Sequence, residues 1–89
     1  MHAVLVRVKI NDVEPAREML TSGVVPQVSA APGFEAGYWT WDEGGSNGVS
    51  MVIFDSEDNA RATAGRVSEM VSDAVSIESV EVREVVASA

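Results

Sequence analysis

The run Phe34-Glu35-Ala36-Gly37-Tyr38-Trp39-Thr40-Trp41 leads into Asp42-Glu43-Gly44-Gly45-Ser46-Asn47-Gly48, and then into Val49-Ser50-Met51-Val52-Ile53-Phe54. The outer blocks are rich in aromatic and apolar residues of the kind strands favour. The middle block concentrates Asp, Gly, Ser and Asn, which turns demand. Residues 34–54 therefore predict a β-hairpin. By alternation Phe34, Ala36 and Tyr38 share one face of its first strand, with Trp39 and Trp41 on the other. In the second strand Val49, Met51 and Ile53 oppose Val52 and Phe54. Whichever face is packed inside, large apolar groups remain on the far one. An alternative places Trp41 beyond the sheet, capping the hairpin end.

On either side of the hairpin the period changes. Downstream, Ser56 is an expected N-cap, with Glu57 and Asp58 at the positive end of a helix dipole. Ala60, Ala64, Val67, Met70, Val71 and Ala74 then recur at helical spacing and predict a four-turn helix, weakened slightly at Gly65. Upstream, Asp12 is placed to cap a helix striped by Val13, Ala16, Met19 and Leu20, with Pro15 in the tolerant first turn and Ser22-Gly23 as its stop. A second helical piece fits residues 25–31, and Pro32-Gly33 ends it. Beyond the helices lie the terminal strands. Residues 3–10 alternate strictly, Val4, Val6, Val8 and Ile10 against Ala3, Leu5, Arg7 and Lys9. Residues 77–86 close the chain, with Val80 and Val82 opposite Glu81 and Arg83.

The order is β-α-β-β-α-β, which predicts an α+β, ferredoxin-like fold: a four-stranded antiparallel sheet with both helices on one face. Eighty-nine residues suit a single domain over residues 1–89, and a chain this short is marginal alone. No cysteine is present to staple it. The core is built from short side chains, with 16 Val and 11 Ala against two Leu. With the hairpin apolar on both faces, the missing burial is expected from a homodimer. Val85 and Val86 extend the apolar pattern of the last strand, so residues 84–88 are expected to cross to the partner.

A formal net charge of −8 makes nucleic acid and membrane surfaces poor partners. No stretch has the length of a membrane span, and the first residues lack a signal-peptide layout, so a cytoplasmic protein is the expectation.

The broken first helix running into Ala31-Pro32-Gly33-Phe34, the aromatic strand, the glycine-bearing hairpin and the Phe54-Asp55-Ser56-Glu57 entry to the second helix together resemble the dimeric α/β-barrel superfamily, specifically its antibiotic-biosynthesis-monooxygenase-like group. The resemblance covers nearly the whole chain. It implies two sheets facing each other across a dimer, with a cavity in the barrel or between sheet and helices. The fold hosts cofactor-independent oxygenases of aromatic polyketides, haem-degrading enzymes, isomerases, decarboxylases and proteins with no known reaction. The haem-degrading members use an Asn near the end of the first strand, a Trp on a strand and a His on the later helix. Asn11 and Trp39 or Trp41 match loosely, but the later helix here has no His.

The residues themselves narrow the chemistry. His2 is the only histidine, and reads as a surface residue. A two-His metal site and a Ser-His-Asp triad elsewhere in the chain are excluded. No metal, haem or flavin is expected as cofactor. Gly44-Gly45 is too short for a phosphate-cradling loop and lies in a hairpin. Tyr38, Trp39 and Trp41 form the one aromatic cluster, which reads first as dimer contact area and second as the wall of an aromatic pocket. Arg7, Lys9, Glu81 and Arg83 share a parity. They read as a cross-strand ion-pair ladder, or else as a polar pocket in which Arg7 or Arg83 meets an anionic group. Ligand-pocket candidates are therefore Asn11, Tyr38, Trp39, Trp41, Arg7 and Arg83. Two functions stay open: a monooxygenase-like protein binding a small aromatic or apolar molecule, and a non-catalytic dimeric binding or interaction module.

Overall fold

The computed structural model describes residues 1–89. Strand β1 (His2–Ile10) runs down the middle of a four-stranded antiparallel sheet of order β2-β3-β1-β4. Its partners are β3 (Asn47–Phe54) and β4 (Val75–Glu84), and β2 (Phe34–Trp41) pairs with β3 at the edge. The order is that of the expected α+β, ferredoxin-like fold. Between β1 and β2 the chain is helical through α1 (Val13–Met19), a π-turn (Leu20–Val24) and α2 (Val25–Ser29). Between β3 and β4 lie α3 (Glu57–Ala64) and the single turn α4 (Val67–Met70). No helix is long and apolar enough to cross a membrane.

Alternation decides which residues meet the helices. Val4 of β1 stands opposite Val52 and Val82, and His2 opposite Phe54 and Glu84. Val4, Val6, Val52 and Phe54 pack with Val24, Val28 and Ala60 in one buried cluster; Ile10, Ala16, Ala74 and Val75 form a second. Short valines and a helix-borne alanine allow close approach of the two layers.

Two bulges adjust this register. In β2, Phe34 pairs with Phe54 while Ala36 pairs with Ile53, so Glu35 is surplus. That extra residue turns Phe34 onto the helix side, edge-on to Phe54 at 6.3 Å between ring centroids, and off the Ala36–Tyr38 face that alternation assigned it. In β4, Glu78 is surplus between Ile77, opposite Val8, and Ser79, opposite Arg7. Ile77 and Val80 thereby share the helix-facing side.

Four boundaries differ from expectation. Ser22-Gly23 does not stop the first helix; the backbone stays right-handed helical into Val25. Ala16, Leu20, Val24 and Val28 recur every four residues, a spacing that drifts about 40° per step on an α-helix. A wider π-turn takes up that drift and keeps all four toward the sheet. The expected four-turn helix breaks at Gly65, where the Arg66 N–H bonds back only three residues, to the Thr63 carbonyl. Ser56 caps α3 as expected, accepting from the Asn59 N–H at 3.2 Å, whereas Asp12 makes no side-chain cap bond. Finally, β4 begins two residues early and ends at Glu84. Val85 donates its N–H to the Met1 carbonyl at 3.0 Å, and Val86 stands 87% exposed.

Candidate functional site: an apolar cavity between sheet and helices

The space between the layers is not filled. A cavity of about 70 Å³ lies there. Its floor comes from Val4, Val6, Val8 and Ile10 of β1, Ser50 and Val52 of β3, and Trp39 and Trp41 of β2. The roof is Met19 of α1, Leu20 and Val24 of the π-turn, Val28 of α2, Thr63 of α3, and Val67 and Met70 of α4. Of 21 lining residues 17 are hydrophobic, and none is Asp, Glu, Lys, Arg, His, Tyr or Cys. The cavity therefore suits an apolar molecule and holds no side chain that titrates near neutral pH. Its volume is about half that of a cavity known to hold benzene, roughly 150 Å³. An aromatic ring enters only if the wall yields. Met19 and Met70, with three rotatable bonds each, are the side chains best able to yield.

Each indole is held from outside the cavity. A side-chain carbon on Gly37 would lie 2.8 and 2.9 Å from two Trp39 ring atoms, so the indole lies across the bare backbone of Gly37. This glycine is what lets the ring lie along its own strand rather than across the cavity. Trp41 carries the Arg17 guanidinium over its ring at 4.7 Å, a cation–π contact joining α1 to the end of β2.

The aromatic cluster is thus split by the sheet. Trp39 and Trp41 face the helices and line the cavity, which corrects the reading of all three aromatic residues as dimer contact area. Tyr38 points the other way and is 70% exposed. Trp41 is the last residue of β2 and lies beneath α1, within the sheet rather than beyond it. Arg7 and Arg83 sit on the open face, away from the cavity. The expected ladder is reduced to one pair within a single strand, Arg83 donating to Glu81 at 2.7 Å; Arg7 and Lys9 stand opposite Ser79 and Ser76. Asn11 is a fastener rather than a pocket residue: its Nδ2 donates to the Asp73 carbonyl at 3.1 Å and to Ser76 Oγ at 2.9 Å. It ties the end of β1 to the start of β4.

His2 is less exposed than a surface residue should be. Its Nε2 lies 3.7 Å from the Glu57 carboxylate and its Nδ1 is buried without a partner. It does not line the cavity. The two displaced carboxylates are also remote from it. Asp42 is held below its ordinary range by the N–H groups of Asn47 and Ser46 in the hairpin turn. Glu57 is held below its range by hydrogen bonding and attraction to Arg61. No group of three or more His, Cys, Asp or Glu is placed to hold a metal ion.

Sequence reasoning found the two Trp residues but missed Ser50 and Thr63, two of the three hydroxyl-bearing residues of the lining. A lone Ser in a strand and a lone Thr in a helix look like surface residues until the layers are superposed. Neither a protein-family model nor a curated protein sequence matches this chain.

Proposed function

We propose that this protein is a cytoplasmic homodimer of the dimeric α/β-barrel type that binds a small aromatic or otherwise apolar molecule between sheet and helices, without a metal, haem or flavin. The observation that carries the reading is the cavity wall: two indoles, two methionines and a valine floor, with few polar side chains among them. Support for the dimer comes from the opposite face of the sheet. There Tyr38, Met51 and Val49 are 70%, 45% and 36% exposed, in a group with Ile53 and the underlying Leu5. Val86 adds a further exposed apolar residue beside the edge strand.

Of the two functions left open, binding without turnover is the one favoured by the wall. Oxygenation of a quinol-type aromatic requires a proton to leave the substrate, and no titratable side chain lines the cavity to accept it. The monooxygenase-like alternative needs the substrate to ionise before entry.

Two measurements test this together. Benzene titrated into the protein should shift the Trp39 and Trp41 indole N–H resonances saturably, and an oxygen electrode should record no uptake above blank with hydroquinones. Indole signals that stay fixed defeat the binding reading. Enzyme-dependent oxygen uptake reinstates the monooxygenase.

A further inference from the structure

We propose that the cavity selects uncharged ligands bearing one hydroxyl or carbonyl group, with the Ser50 and Thr63 hydroxyls as its polar anchors. This rests on the cavity being the binding site, and adds what the ligand's polar end must be. Three side-chain hydroxyls belong to the lining, on Thr40, Ser50 and Thr63. Thr40 is already committed, donating to the Val49 carbonyl across the hairpin at 2.6 Å. The other two are not.

Thr63 is the more telling. Its residue is only 7% exposed, on the inner side of α3. A helical Thr ordinarily turns its hydroxyl to the carbonyl one turn back, as Thr21 does here toward Arg17 at 3.1 Å. Thr63 makes no such bond. Its hydroxyl is therefore free to bond a molecule in the cavity that the residue lines. Ser50 belongs to the floor of the same cavity. It stands between Val6 on β1 and Trp39 on β2, at a position where the neighbouring helix-facing residues of its own strand are Val52 and Gly48. Its hydroxyl also has no protein partner. Each can donate one hydrogen bond and accept others, which suits an alcohol, a phenol or a ketone.

Charge is excluded by the same wall. A carboxylate, phosphate or ammonium group entering the cavity would lose its water and meet no counter-charge. The chain's net charge of −8 further opposes anions.

Benzene, phenol and benzoate are nearly equal in size and separate these claims. Titrated into the full chain at neutral pH, with the indole N–H resonances as readout, phenol should bind about fivefold more tightly than benzene, the worth of one net hydrogen bond. Benzoate should bind at least about 100-fold more weakly than phenol. In Ser50→Ala/Thr63→Val, the preference for phenol over benzene should vanish. Equal binding of benzene and phenol by the unmodified protein overturns the anchors, and needs no variant to fold. So does a phenol preference that survives the double substitution. Benzoate binding comparable to phenol overturns the exclusion of charge. In all of these cases the cavity remains a binding site. If none of the three probes moves the indole signals, the binding reading itself fails, and the anchors with it.

Discussion

The two faces of one sheet have been solved differently. On the helix side, β1 and β3 present Val4, Val6, Val52 and Phe54, all at most 8% exposed, and the helices close over them. On the other side the same strands present Leu5, Arg7, Met51 and Val49. There Leu5 is buried between its cross-strand neighbours Glu81 and Met51, and Ala3 between Arg83 and Ile53, with no second layer above them. Long side chains can shelter a small neighbour in this way but not one another. Tyr38 and Met51 are left bare in consequence. The closed face supplies the stability of the protomer and the cavity. The open face leaves Tyr38, Met51 and Val49 exposed, the apolar surface on which the proposed dimer rests.

The largest expected effect separates the faces outright. Phe54→Ala removes a side chain with no exposed surface and should lower the unfolding free energy by about 3–4 kcal/mol, measured by urea denaturation. A loss below about 1 kcal/mol means that the closed face is not the core described here. Met51→Glu makes the converse change. It should weaken the homodimer at least about 100-fold by sedimentation equilibrium while leaving the cavity's benzene affinity unaltered. Wild-type protein sedimenting only as a 9.4 kDa species breaks the comparison from the other side.

Gly37→Ala sharpens it within one strand. The added methyl cannot coexist with the Trp39 ring in its present place, so the indole should swing toward the cavity. The cost should be about 1–2 kcal/mol, with a shift in tryptophan emission and weaker benzene binding. Unchanged emission and affinity dissociate Trp39 from the cavity.

The smallest effect is in the hairpin turn. Asp42 has its folded pKa depressed below the ordinary 3.8, so its contribution to stability is present above that value and lost as pH falls through the folded one. Asp42→Asn should therefore lower the melting temperature slightly at neutral pH and flatten its decline below about pH 4. Curves of equal steepness in the two proteins remove the turn from the acid response.

Much of this was legible in advance, and the limits follow from physics. Alternation in residues 3–10 and 34–54, the Ser56 cap and the change of period between strands and helices determined the element order and sheet topology, because those signals are local. Trp39 and Trp41 could be named as pocket residues, but not placed. Alternation says only that they face away from Tyr38. Which face receives the helices depends on crossover handedness and on the match of Val4, Val52 and Phe54 with Val24, Val28 and Ala60, residues far apart in the chain. The Glu35 and Glu78 bulges and the π-turn were equally out of reach. Each absorbs one residue so that distant apolar groups can meet, and nothing local requires it. The cavity belongs to the tertiary structure alone. Ser50 and Thr63 became a site only when a strand and a helix, each ordinary by itself, were packed with space between them.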